Sequence, residues 1–198
     1  MKLFPIDLVG FFAYTGSVLP AERARRKQAC VFRTEKTAPQ SNADREKGAV
    51  KMSDRAIIRA VCISEKKGQQ KHPTDVIRLR PEHGIDGDAH AGNWHRQVSL
   101  LGKESVDRLQ EKISIRLFPG AFAENILCEG MDLYRLPVGT RLRIGTALCE
   151  VTQIGKECHA DCAIRRQAGD CVMPREGIFA IVLEEGEAKA GDELRIVE

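Results

Sequence analysis

What most constrains this chain is a pattern that begins at Ala56: short runs rich in β-branched residues, each closed by Gly, Pro or Asp before a helix could grow. Ala56–Ser64 (AIIRAVCIS) opens the series. Asp75–Leu79, Gln97–Leu101, Asn125–Cys128, Arg141–Ile144, Ala147–Ile154, Ile178–Leu183 and Glu193–Val197 continue it. Apolar runs of this length between turn signals read as strands. A helical period is persuasive only over Lys103–Lys112, where Val106, Leu109 and Ile113 share one face. Many short strands with one or two short helices predict a mainly β domain, a barrel or a sandwich rather than a βαβ sheet.

The pattern has no counterpart upstream. From Ala21 to Arg55 the chain is charged and rich in small polar residues, with no apolar period that could build a core, and reads as disordered or linker. The opening LFPIDLVGFFAYTG is apolar, but Pro5 and Asp7 interrupt it, it is too short to span a bilayer, and it fits a cleaved signal poorly. We therefore expect residues 1–55 to be a poorly structured extension, 56–198 to be the domain, and Met52 to be the natural start. A chain of 198 residues, 42% of them hydrophobic, suffices for one core and an appendage.

Charge and cysteine usage narrow the function. The net charge of +3 balances 31 basic against 28 acidic residues, so no strong field for polyanions follows, and 5% aromatic residues leave little for base stacking. Neither nucleic acid nor membrane is an expected partner. Seven cysteines is an odd number in a chain without a credible export signal, which favours reduced thiols in the cytoplasm over a disulfide framework.

Those thiols concentrate in GKECHADCAIRRQAGDC, Gly155 to Cys171. Cysteine reacts and binds metal as the thiolate, and Lys156, His159, Arg165 and Arg166 supply cations that favour that form. The segment follows Ala147–Ile154, whose Leu148, Glu150, Thr152 and Ile154 share one strand face while Cys149, Val151 and Gln153 share the other. Gly155 breaks the strand and so places Lys156, Cys158 and His159 at a rim. Cys62 and Cys149, inside strand patterns, read as small core hydrophobes.

Two further segments carry more polar groups than packing needs. In GIDGDAHAGNWHRQVSLL, Gly84 to Leu101, glycines such as Gly87 let the backbone present N–H donors, and Asp88, His90, His95 and Arg96 add side chains suited to an anion site. The bland alternative is a loop with aspartates capping turns and histidines facing solvent. In LFPGAFAENI, Leu117 to Ile126, Pro119–Gly120 makes a turn, Phe122 can anchor it, and Glu124 and Asn125 follow at the mouth of a strand. An asparagine amide both donates and accepts, which suits a heterocycle edge.

Taken in order, GIDGDAHAG, HRQVSLL, PGAFAEN, LPVGTRLRIG, ALCEVTQ, KECH and GIFAIVLEEGEAKAGDELRI resemble the MOSC domain, named from the C-terminal domains of molybdenum cofactor sulfurases. The resemblance spans nearly all of Ala56 to Glu198. It implies a β-barrel-like fold and a role with the molybdenum cofactor, a pterin dithiolene bearing a phosphate. It implies that a C-terminal cysteine carries sulfur or ligates molybdenum. Cys158 sits where a cysteine follows the strand in small members. Cys162 resembles the cysteine of an Arg-Cys-Ile motif in amidoxime-reducing relatives, although here Asp161 and Ala163 flank it. The implied pocket combines Gly87, Asp88, His90, His95 and Arg96 with Glu124, Asn125 and Lys156, and Cys171 is a third thiol behind Cys158 and Cys162.

A chain this short has no room for the pyridoxal phosphate domain that mobilises sulfur, and it shows no flavin or nicotinamide fingerprint. A sulfur carrier would need a separate pyridoxal phosphate-dependent donor, and a reductase component a separate electron donor. Two readings from other classes stand beside this one. Cys158, Cys162, Cys171 and His159 could form a zinc module, though adjacent Cys158 and His159 are awkward joint ligands. Alternatively, Cys158 and Cys162, on one face if the segment is helical, could act as a reversible thiol sensor.

Overall fold

A computed structural model of the chain describes residues 53–157, 165–166 and 171–198. Its strands are β1 (Arg55–Ile63), β2 (His72–Thr74), β3 (Val76–Arg80), β4 (Gly84–Ile85), β5 (Val98–Gly102), β6 (Ile126–Glu129), β7 (Arg141–Ile144), β8 (Ala147–Ile154), β9 (Ile178–Glu184), β10 (Gly186–Lys189) and β11 (Glu193–Val197). Helices α1 (Lys103–Gln110) and α2 (Met173–Glu176) and one 3-10 turn (Leu133–Arg135) complete the described elements.

Seven of these strands close on themselves. The order β11-β7-β8-β9-β5-β6-β1 returns to its start because β1 also pairs with β11, Ala56 lying opposite Leu194. Closure removes exposed sheet edges, which a run of short strands would otherwise present in number. Strand β2 is added to the far end of β1, while β10, β3 and β4 form a separate three-stranded sheet. The fold is thus mainly β and barrel-shaped, as the strand pattern and the resemblance both imply. All eight predicted runs are strands, their ends displaced by no more than one residue.

One pairing differs in kind. Strands β5 and β6 run parallel, with Leu100 opposite Ile126, so the chain must cross back between them. Helix α1 begins that crossover. It stops at Gln110, short of the Lys112 expected from its period, because the Gln110 side chain captures the departing chain: its Nε2 donates to Ile115 O at 2.8 Å and its Oε1 accepts from Leu117 N at 2.7 Å. The return passes through Pro119–Gly120. A side chain on Gly120 would put its Cβ 2.1 Å from Lys71 O, so only glycine lets the turn lie against the entry to β2, where Lys71 N donates to Gly120 O at 3.0 Å.

Two apolar clusters sandwich β5, all of whose residues are buried. Val98 and Leu100 point into the barrel with Ile58, Ile126, Leu142, Ile144, Ile178 and Leu194. Leu101 points outward, beneath Leu109 of α1, Phe122, Met173 and Phe179. Val106 and Ile113 pack against this outer cluster, so the predicted face of the helix is the face that docks. Cys62, Cys128 and Cys149 are fully buried, and burial pushes each thiol up to about 12. Glu124 adds to the rise at Cys62, and Glu104 to that at Cys128. These are packing residues and not nucleophiles at neutral pH. No helix among the described residues is long and apolar enough to cross a membrane.

Candidate functional site

A cavity of about 620 Å³ opens at one rim of the barrel, a size typical of small-molecule sites. The loop from β4 to β5 brings His90, Trp94 and Arg96 to it, the turn before β6 brings Asn125, the end of β8 brings Gln153 and Lys156, and β9 brings Phe179. The strand end is fixed by backbone geometry. Gly155 has φ +68°, a conformation costly for other residues, and a Cβ there would lie 2.2 Å from Pro174 O. Gly155 N donates to Gly177 O at 2.7 Å and Lys156 N to Pro174 O at 3.2 Å. The chain therefore turns tightly against α2, and Lys156 Nζ comes to stand 5.8 Å from the Phe179 ring centre.

Arg96 faces the same ring from the loop side. Its guanidinium carbon lies 5.6 Å from the Phe179 centre and 4.8 Å from that of Trp94, within cation–π range of both. Trp94 is held by its indole N–H, which donates to His90 O at 3.0 Å. Yet Arg96 Nε is buried without a hydrogen-bond partner among the described residues. A buried donor left unpaired costs about 1–3 kcal/mol, so its presence beside a cavity points to an acceptor brought by a ligand.

Beneath the cavity lies a buried polar floor. The side chains of Lys71 and Asp88 are each 1% exposed, and Lys71 Nζ donates to Asp88 Oδ1. Asp88 also accepts from Ser64 N at 3.1 Å and from His90 N at 3.0 Å. Burial alone would raise the Asp88 carboxyl, but His90, Lys71 and the Ser64 N–H together hold it well below the usual range. Burial pulls the Lys71 ammonium below the ordinary lysine range, with Asp88 opposing that fall. Glu124 is buried too and accepts from Gly120 N at 2.7 Å and Phe122 N at 3.0 Å; desolvation raises its pKa despite those bonds.

The predicted residues therefore separate into groups. His90, Arg96, Asn125 and Lys156 line one cavity. His95 stands behind it, its Nε2 3.0 Å from Gln153 Oε1, while Asp88 and Glu124 lie in the floor. Gly87, with φ +78°, shapes the loop around Asp88. Asn125 is largely committed to its own strand: Oδ1 accepts from Ser99 N and Oγ at 3.1 and 2.8 Å, and Nδ2 donates to Cys62 O at 3.1 Å, which leaves one amide proton. Cys158, His159 and Cys162 lie outside the described residues; Glu157, immediately before Cys158, lines the cavity. Cys171 is buried near Met173 and Phe179. Among the described residues no group of three or more His, Cys, Asp or Glu side chains is placed to hold a metal ion.

Sequence reasoning missed Lys71, Trp94, Gln153 and Phe179. Trp94 carried a usable signal, as the sole tryptophan of the chain set between histidine and glycine-rich turns. Lys71 carried none, because a lysine in a polar turn looks solvated until the fold closes over it. Phe179 looked like any strand residue.

The family model of the MOSC domain matches residues 86–195. Among solved structures, the chain resembles APC1665, the YuaD protein from Bacillus subtilis, with a TM-score of 0.60, 22% identity, and coverage of 72% of this chain and 95% of that one. YiiM from Geobacillus stearothermophilus follows at a TM-score of 0.56 and 19% identity, covering 72% and 75%. YiiM from Escherichia coli gives 0.52 and 19%, covering 73% and 70%. At these identities the structures share the fold. No curated protein matches the chain.

Proposed function

This chain belongs to the MOSC domain family, and from that premise we propose that it binds the molybdenum cofactor in the cavity between the His90–Arg96 loop and the end of β8, and handles the cofactor or its sulfur through Cys158. The observation that carries this reading is the unpaired, buried Arg96 Nε beside a ligand-sized cavity that Lys156 and His90 also line. These are donors for the phosphate of a pterin. The remaining Asn125 amide proton and the Ser99 hydroxyl edge offer polar contacts at the cavity floor.

The cofactor, when bound, supplies a metal centre capable of redox or sulfur chemistry. The chain's own part is to hold the phosphate, exclude water with Phe179 and Trp94, and present a soft thiolate. Cys158 directly follows the cavity residue Glu157 in the sequence. Lys156 favours its ionised form. Cys162 is the alternative ligand or a resolving thiol. If sulfur is the cargo, a persulfide on Cys158 carries it, taken from a separate pyridoxal phosphate-dependent donor. If the cofactor turns over, a separate protein supplies electrons. The proposed setting is the cytoplasm, with the thiols reduced.

Residues 56–198 are proposed as the folding unit, with 1–55 as an extension; the start of the barrel's first strand at Arg55 supports this division. The test is to purify the full chain from cells able to make the cofactor and to measure molybdenum, zinc and pterin in one sample. Molybdenum with pterin, retained by wild type and lost from Cys158→Ser, is the expected result. Zinc in place of molybdenum, or loss from Cys162→Ser alone, overturns the assignment.

A further inference from the structure

A buried lysine in the floor has no role in the reading above, and its surroundings give it one. Lys71 is 1% exposed and carries three N–H donors, of which Asp88 Oδ1 accepts one. The other acceptor within reach among its described hydrogen bonds is His90 Nδ1, at 3.5 Å. Asp88 is differently placed. Its Oδ1 already takes Lys71 and Ser64 N and its Oδ2 takes His90 N, while His90 Nδ1 stands 3.6 Å from Oδ2, nearly the distance it keeps from Lys71. The ammonium has two N–H donors beyond the one Asp88 accepts, whereas the carboxylate has a single lone-pair site left on Oδ2, so the greater need for His90 Nδ1 is on the Lys71 side. A ring nitrogen that accepts from an ammonium is unprotonated, so in the neutral imidazole the proton sits on the other nitrogen.

We propose that the Lys71–Asp88 pair is a positioning device for His90: it turns Nδ1 inward as an acceptor from the Lys71 ammonium and so fixes the ring proton on Nε2, where it donates to an oxyanion held in the cavity. The His90 side chain is 33% exposed and lines the cavity, so the edge opposite the buried Nδ1 is the one a ligand meets. Arg96, from the same loop as His90, and Lys156, just after β8, are donors as well, which makes the cavity a convergence of N–H groups from two segments. The same tautomer denies a metal ion the Nε2 lone pair, so His90 holds an anion and not a metal. Lys71 and Asp88 act through His90 and touch no ligand themselves. The inference rests on the cavity being an anion site, as proposed above, and not on which anion occupies it.

The test reads the tautomer directly. The full chain, labelled with 15N-histidine and free of cofactor, is studied by long-range proton–nitrogen correlation at about pH 8, on the alkaline side of the ordinary histidine range. His90→Gln assigns the signals. The expected spectrum has a protonated Nε2 and an unprotonated, hydrogen-bonded Nδ1 at His90, and titration with inorganic phosphate moves the Nε2–H resonance. In Lys71→Met combined with Asp88→Asn, which removes both charges and so strands neither, His90 becomes a mixture of tautomers and phosphate affinity falls about tenfold, the worth of one charge-assisted hydrogen bond. A proton on Nδ1 in the wild type overturns the proposal. So does a tautomer unchanged in the double variant, or a phosphate titration that leaves the Nε2 resonance in place. A correct tautomer in a protein that never acquires molybdenum overturns the cofactor reading and leaves this one standing.

Discussion

The barrel interior and the floor beneath the cavity are equally closed to water, yet they are filled by opposite chemistry. Inside the barrel, Ile58, Leu100, Ile126 and Leu142 are 0% exposed and bring no polar side chain with them. Beneath the cavity, Lys71, Asp88, Glu124 and Asn125 are buried almost as deeply and are satisfied by one another, by the Ser99 hydroxyl and the His90 ring, and by backbone N–H and C=O groups. Apolar packing is tolerant and stabilises through area, whereas a buried charge must find its partner or cost several kcal/mol. A fold gains little stability from such a floor. It gains fixed directions for the side chains above it, which a pocket requires.

The sharpest way to test that contrast is Asp88→Asn, which leaves the Lys71 ammonium buried beside a neutral amide. At pH 7 it should cost about 3–5 kcal/mol, read by urea unfolding. The loss should shrink in acid. The folded-state carboxyl lies below its ordinary range, so the stability Asp88 contributes is complete above about pH 4 and disappears as the pH falls through the lower folded value. Glu124, raised by burial, slopes the other way, but it is common to both proteins and cancels in their difference. A gap that widens in acid would show that the pair is not the source.

Leu142→Ala carves a cavity in the dry interior instead, with an expected cost of about 3 kcal/mol. Phosphate affinity should stay within about twofold, because relaxation around a core void is local. If affinity falls in step with stability, the two regions are not separable as described. Gly155→Ala acts between them. It forces a side chain into positive φ against Pro174 O, at roughly 1–3 kcal/mol for the backbone strain, and should displace Lys156 enough to weaken phosphate binding measurably. Retained affinity would remove the β8 end from the site.

The smallest effect is expected outside both regions. The Arg55–Glu193 pair joins β1 to β11 at 3.0 Å with both side chains well exposed. Arg55→Ala should change stability by less than about 1 kcal/mol, and less again in high salt. A larger loss would mean that barrel closure depends on this ion pair more than on Ala56 and Leu194 beneath it.

The barrel was readable because its signal is local. Each of the eight strands read from the sequence announces itself by β-branched content and bounding turns, and α1 by the spacing of Val106 and Leu109. The elements that escaped notice are β2, β4, β10, α2 and the 3-10 turn, of two to four residues each and without a β-branched run. The polar β10, Gly186–Lys189, is specified by its pairing with β3 and not by its own composition.

The site divides along the same line. Composition, glycine placement and the run of donors around His90, Arg96 and Lys156 lie in the linear sequence, and so does the family resemblance that groups them. What chain order alone could not decide is which of those groups would face one cavity and which would be spent beneath it. Asp88 and Arg96 are eight residues apart in one loop, but one ends in the floor and the other on the wall. Lys71 comes from a turn with no marked pattern and becomes a fully buried charge of the floor, because Gly120 lets a distant turn close over it. Local propensity depends on neighbours in sequence and can be read there. Burial, and with it the partner of every buried charge, depends on which surfaces the closed barrel brings together.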